Sequence, residues 1–174
     1  MRQPKLAIEA LRQAIVQAMR RVTRHNLVRQ ESVSARLAEL MRRYTNQHLS
    51  AAEILAELAA MAREVSAEAD RGKRFDPPLS REELAFYDAV ATNESAVSQL
   101  GEGVLADIAR DLVRAVRESL TIDWASREDV RARLRTIIKR LLAVHGYPPD
   151  AQPEAVAKVV RQMEAFAEDW TPRA

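Results

Sequence analysis

Aliphatic residues recur at every third or fourth position through almost the whole chain, and that period constrains the fold more than any other feature. Ile8, Leu11, Ile15, Met19 and Val22 make one stripe, and Val33, Leu37, Leu40, Met41 and Tyr44 make a second after a break near Asn26. The two predict helices joined as a hairpin. Only four glycines are present, too few for a sheet that needs many turns, and the 47% hydrophobic content is rich in Ala and Leu. The expectation is an all-α fold, an irregular bundle of about six to eight helices.

Two Ser-x-x-Glu sequences mark helix starts. In each, the serine oxygen can accept a backbone N–H while the glutamate reaches back to the serine's own N–H. Ser50 with Glu53 opens a helix whose buried face is Ile54, Leu58, Met61 and Val65, with Gly72 as a left-handed stop. Ser80 with Glu83 opens a shorter one through about Thr92, with Leu84, Tyr87 and Val90 on one side. Between them GKRFDPPL (72–79) contains two adjacent prolines and reads as a linker. A turn from Glu94 to Leu100 ends at Gly101, and the next helix, 103–119, buries Leu105, Ile108, Leu112 and Val116. Pro153 suits the first turn of a last helix facing the core with Val156, Val159, Val160, Met163, Phe166 and Trp170. The organisation expected is one helical domain over 1–174, with subdomains 1–72 and 79–171 and a linker at 73–79.

Net charge is only +2, so the field of the whole molecule does not argue for a nucleic-acid partner. Its distribution is uneven: residues 1–49 hold ten Lys/Arg against three Asp/Glu, and residues 50–100 hold five against ten. The chain has no cysteine, which removes disulfides and thiolate metal sites and fits a reducing cytoplasm. No apolar run approaches the roughly 20 residues of a membrane span. Glu9 interrupts the amphipathic N-terminus, which argues against a cleaved signal. A soluble, cytoplasmic protein is expected.

Enzyme chemistry finds little support. There is no GxxxxGK[ST] loop, and His25, His48 and His145 are far apart, without HExxH or Glu-x-x-His spacing. The acidic pairs Glu82-Glu83 and Glu128-Asp129 fall in first helical turns, where they oppose the positive end of the dipole. Glu57, Glu64 and Glu68 share a face of the third helix, as a solvated stripe or an acidic docking surface. No catalytic residue, cofactor site or metal site is expected in this chain.

The segment LTIDWASREDVRARLRTIIKRLLAVHGYPP (120–149) combines aliphatic and basic periodicity. Taken as helical from Arg127 to His145, it offers Val130, Leu134, Ile137, Leu141 and Val144 at 4-3-4-3 spacing, widened by Ile138 and Leu142. Arg131, Arg135 and Lys139 form a row beside that seam, while Arg133 and Arg140 point elsewhere. Such a row can grip acidic side chains, grip phosphates, or merely solvate an edge, and Glu128 and Asp129, set beside Arg127 and Arg131, can neutralise part of the charge locally. Trp124 and Tyr147 bracket the helix. Candidate partner-binding residues are therefore Trp124, Arg131, Arg135, Lys139, Arg140 and Tyr147. An alternative is a DNA-backbone track on the basic first helices, using Arg20, Arg21, Arg24, Arg42 and Arg43, with Arg12 and Arg36 beside them.

LSREELAFYDAVATNES (79–95), LADIARDLV, and TIDWASREDVRARLRTIIKRLLAVHGYPPD (121–150) together closely resemble the C-terminal helical domain of the R (HsdR) subunit of type I restriction enzymes. RLAELMRRYTNQHLSAAEILAELAAMARE (36–64) is similar to the preceding part of that domain, so the resemblance spans about residues 28–150. The signature takes in Trp124, Arg131, Arg133, Leu134, Lys139, Arg140, Gly146, Tyr147 and Pro148. The resemblance implies a module that holds a nuclease and ATP-driven DNA motor to a methyltransferase and specificity core, in contact also with the motor domains of its own subunit. ATP and Mg²⁺ would serve the full subunit. The family's nuclease and motor motifs match nothing in this chain, so the resemblance carries no catalytic residue onto it.

Overall fold

A computed structural model describes residues 4–119 and 127–166, and among these residues every regular element is helical. Two compact units emerge, Met1–Arg24 with Val28–Arg71, and His25–Leu27 with Gly72–Ala174.

In the first unit, α1 (Pro4–Val22), α2 (Leu27–Thr45) and α3 (Ala51–Ala67) bury the stripes that helical period selects. Ile8, Ile15 and Met19 of α1, Val33, Leu37 and Leu40 of α2, and Ile54, Leu58, Met61 and Val65 of α3 make one core, with Leu11, Met41 and Tyr44 packed at its margin. Each fully buried aliphatic side chain contributes about 1.5–3 kcal/mol of transfer free energy. Side-chain links fix the directions. Ser34 reaches Met19 while Gln30 reaches the Thr23 carbonyl, and Arg36 pairs with Glu64 while Arg29 pairs with Glu68, so α2 runs antiparallel to both α1 and α3. α1 and α3 are therefore parallel. They also approach closely, which the many alanines of both helices permit.

The capping box of α3 forms as its sequence predicts, with the Glu53 N–H donating to the Ser50 hydroxyl at 3.1 Å and the Ser50 N–H donating to the Glu53 carboxylate at 3.1 Å. Its other end departs from expectation. α3 tightens into a 3₁₀ segment, Glu68–Arg74, and Gly72 lies inside this segment without a left-handed conformation. Glycine is needed there for a different reason: a Cβ on residue 72 would meet the Leu79 carbonyl oxygen at 2.5 Å, because the Leu79 N–H donates back to the Gly72 carbonyl at 3.0 Å. The residues expected as a linker thus fold locally. Phe75 and Leu79 are buried, and the Phe75 ring meets Tyr87 edge-on at 4.9 Å.

The second unit contains α4 (Arg81–Val90), α5 (Glu94–Ser119), α6 (Glu128–Val144) and α7 (Gln152–Ala165). α4 and α6 each lie against both α5 and α7, which closes a ring of four helices. α4 starts at the Ser80/Glu83 capping box, and all seven residues from Leu84 to Val90 are buried, so it is enclosed on every side rather than on the one that Leu84, Tyr87 and Val90 define. Among them Asp88 accepts from Asn26 Nδ2 at 2.6 Å. α5 is two helices run together across Gly101, whose φ of 80° only glycine takes cheaply, and its second part buries Leu105, Ile108, Leu112 and Val116. In α7, Val159, Val160 and Met163 are buried, as is Phe166 at its C-terminal cap; Val156 is partly buried, and Pro153 sits in the first turn. Trp170 lies outside the described residues. Gln162, buried on α7, fastens residues His25–Leu27: its side-chain oxygen accepts from the Leu27 N–H at 3.0 Å, and its amide donates to the His25 carbonyl.

Candidate partner-docking face

α6 carries the candidate site, and its buried seam decides which of its cations remain outside. Val130, Leu134, Ile138 and Leu142 are buried, at uniform four-residue spacing. Ile137 and Leu141, placed on the seam by the 4-3-4-3 reading, are only partly buried. Val144 is 75% exposed, which corrects its assignment to the core. The helix closes in a Schellman motif: Gly146 takes φ 78°, its N–H donates to the Ala143 carbonyl at 3.1 Å, and the Tyr147 N–H donates to the Leu142 carbonyl at 2.9 Å.

Tyr147, a candidate for partner contact, belongs to the interior. It is 2% exposed, and its hydroxyl donates to the Val90 carbonyl at 2.7 Å, tying the end of α6 to the end of α4. Burial, with the Glu154 charge as a lesser cause, pushes its phenol up to about 12. The phenol works as a structural clamp, and no surface for a partner is left on it. Trp124 lies outside the described residues.

The expected row of Arg131, Arg135 and Lys139 divides. Arg131 pairs with Glu164 of α7 at 2.5 Å and Arg135 with Glu128 at 3.2 Å, and Arg127 pairs with Asp129 at 2.8 Å. The Arg127 guanidinium beside Asp129 holds that carboxyl below its usual range. Lys139, Arg140 and Arg133 are exposed and have no ion pair among the described residues. The cations open to a partner are thus Arg133, Lys139 and Arg140, joined by exposed Val144. Sequence periodicity placed Arg133 and Arg140 off the row without assigning them a face, and it hid Val144 by setting it on the seam. Arg131's partner, 33 positions away, had no local signal.

The alternative track in the first unit does not gather. Arg20 and Arg21 occupy the last turn of α1, and Arg42 and Arg43 the last turn of α2. Because the two helices are antiparallel, with Ser34 against Met19, Arg20 and Arg21 lie level with the first half of α2, and Arg42 and Arg43 are about 15 Å further along the axis. Favourable interaction with the negative end of each helix dipole explains both positions. Arg42 is bound to Glu39 at 2.6 Å, Arg36 to Glu64 at 2.7 Å, and Arg12 to Glu9; the Arg42 hydrogen bond chiefly holds Glu39 low and the Ser50 backbone N–H chiefly holds Glu53 low, with the Arg43 charge a lesser cause for both. Arg20, Arg21 and Arg24 remain exposed, without an ion pair among the described residues.

The acidic face read on α3 is also altered. Glu68 is buried between Arg29 and Arg71, and Glu64 is engaged by Arg36, leaving Glu57 as the exposed acid of the three without an ion pair among the described residues. His145 contacts Asp111 at 2.8 Å, and His25 lies 5.1 Å from the Phe166 ring. Among the described residues no three His, Asp or Glu side chains gather into a metal-binding group. No helix among them is long and apolar enough to cross a membrane.

The chain's similarities lie with one kind of protein. Residues 1–169 match the family model for the C-terminal region of type I restriction enzyme HindI endonuclease subunit-like proteins. The type I restriction enzyme HindI endonuclease subunit of Haemophilus influenzae is 42% identical over 146 residues, covering 84% of this chain and 14% of that protein. The putative type I restriction enzyme MjaIXP endonuclease subunit of Methanocaldococcus jannaschii is 27% identical over 122 residues, 70% of this chain and 11% of the relative. No solved structure matches the chain. With the family model covering nearly all of its length, the chain belongs to the family of C-terminal domains of type I restriction endonuclease (R) subunits.

Proposed function

We propose that this chain is a non-catalytic assembly module, which docks the nuclease and translocase parts of a type I restriction enzyme onto its methyltransferase and specificity core. The observation that carries this reading is the outer face of α6, where Arg133, Lys139 and Arg140 stand exposed with no ion pair among the described residues, in a chain whose other α6 cations are neutralised internally. Family membership supports it, since the relatives are subunits of multi-part enzymes and this chain spans about a seventh of the first of them. On this reading the chain itself holds no nucleotide or metal. ATP and Mg²⁺ serve the rest of the subunit in the cytoplasm, where the whole complex moves and cuts DNA.

Copurification with the cognate methyltransferase–specificity core tests the proposal. Stable retention of the wild-type chain is expected, and a chain that never binds the core refutes docking. Hydrolysis of ATP or cleavage of a plasmid by the purified chain alone would refute the non-catalytic part.

A second reading, contact with the DNA backbone, rests on exposed Arg20 and Arg21 in the last turn of α1 and exposed Arg24 just after it. Were these three to engage phosphates, log K against log salt would fall with a slope of about −2.7. A flat response removes this reading.

A further inference from the structure

We infer that the outer face of α6 seats an acidic amphipathic helix of a partner protein, an inference that rests on the assembly reading above. Arg133, Ile137, Arg140 and Val144 step along α6 by four, three and four residues, which aligns them on one side. Three are exposed, and Ile137 is partly buried where the line meets the core. Beside them runs a second line at the same spacing, Ala132, Thr136, Lys139 and Ala143, all exposed. Three of its side chains are short, so a second helix can come close. Two neighbouring lines at this period are what one helix presents to another in coiled-coil packing.

Charge and polarity select the occupant. A second copy using the same face would set Arg133, Lys139 and Arg140 against their own equivalents, so self-pairing there is repulsive. Nucleic acid would satisfy the three cations but not Val144, 75% exposed at the end of the line. Phosphates gain nothing from an aliphatic side chain, whereas a leucine or valine on a partner helix gains about 25 cal/mol for each Å² of apolar surface covered. Arg133 and Arg140 are about two helical turns apart, roughly 10.5 Å, so carboxylates seven residues apart on the partner helix can meet both. The occupant is therefore a helix with acids at heptad spacing and an aliphatic residue near one end.

The absence of cysteine from the chain makes Val144→Cys a unique attachment point for a photo-crosslinker. Binding to the purified methyltransferase–specificity core would be measured for the wild type, Arg133→Glu/Arg140→Glu and Val144→Asp, with circular dichroism as a folding control and a duplex oligonucleotide titrated in parallel. The expected result is a crosslink from position 144 to an acidic helical segment of the core, with a loss of affinity of about tenfold or more for the double variant and a smaller loss for Val144→Asp. Unchanged binding by both folded variants, with no crosslink, overturns this inference and leaves docking intact. Loss of duplex binding with core binding unchanged assigns the face to nucleic acid and also overturns it. A wild-type chain that does not bind the core overturns the inference together with the assembly reading.

Discussion

α3 and α6 are both 17 residues long and each buries four large aliphatic side chains, yet they spend the rest of their surface differently. On α3 the buried residues step 4-3-4, from Ile54 to Val65, so the seam runs nearly parallel to the axis. On α6 they step 4-4-4, from Val130 to Leu142. Four residues advance about 400° around a helix of 3.6 residues per turn, so that seam drifts some 40° at each step. Such a row is inclined to the axis and suits neighbours that cross obliquely. By the last turn the seam has rotated away from Val144, which is why this valine emerges beside Arg140. The obliquity of one seam thus creates a mixed cationic and apolar face that the straight seam of α3 does not offer.

The largest effects should fall equally on the two seams. Leu58→Ala and Leu134→Ala each remove a side chain with 0% exposure, and each is expected to cost about 2–5 kcal/mol in urea unfolding. If Leu134→Ala cost under about 1 kcal/mol, the oblique seam would be wrong.

Smaller effects should separate the helix ends. α6 is closed by its Schellman turn and by Tyr147, whereas α3 runs on into a 3₁₀ segment with no such clamp. Tyr147→Phe is expected to cost about 1–2 kcal/mol through the lost hydrogen bond to the Val90 carbonyl. The tyrosine also predicts a pH dependence. Folding raises its pKa from 10.0 to about 12, so the folded chain binds the proton more tightly. Its stabilising contribution is complete below about pH 10 and disappears as pH climbs towards about 12. Alkaline titration of stability should show this decline in the wild type and lack that component in Tyr147→Phe.

At the N-termini the comparison reverses. Ser50 caps α3, while Arg127 stands at the cap of α6 and makes no capping hydrogen bond. Ser50→Ala should cost about 1 kcal/mol, and Arg127→Ser should gain a similar amount or somewhat less, because it supplies the missing acceptor. Chemical denaturation that shows no gain for Arg127→Ser would mean that the first turn of α6 is satisfied in another way.

What was legible in the sequence follows from the range of each cause. Capping boxes, the stops at Gly101 and Gly146, and the seams of α1 to α3 and of the second part of α5 are set by residues within a few positions, and they could be read directly. The enclosure of α4 could not, because Ala85 and Asp88 are buried by other helices rather than by their own pattern. Gly72 gave the right residue for the wrong reason, since the constraint is the carbonyl of Leu79, brought close by the return of the chain. The cation row of the candidate site was half legible. Glu128 and Asp129 read as local partners of Arg127 and Arg131, and Arg127 does pair with Asp129, but Glu128 goes to Arg135 and Glu164 meets Arg131 only once α7 has packed. Arg133 and Arg140 could be identified as the open cations only after the others had been matched.

The smallest expected effect is the most discriminating for α6. Were Val144 the last member of a 4-3-4-3 seam, Val144→Ala would remove buried aliphatic surface and cost about 1 kcal/mol or more. At 75% exposure little apolar surface is lost, and the substitution replaces a β-branched residue in a last helical turn with the best helix former. The net change should lie between zero and a gain of about 0.5 kcal/mol. Sign therefore matters more than size: an unfolding midpoint that holds or rises with an unchanged slope places Val144 outside the core, and one that falls returns it to the seam and removes the apolar end of the proposed docking face.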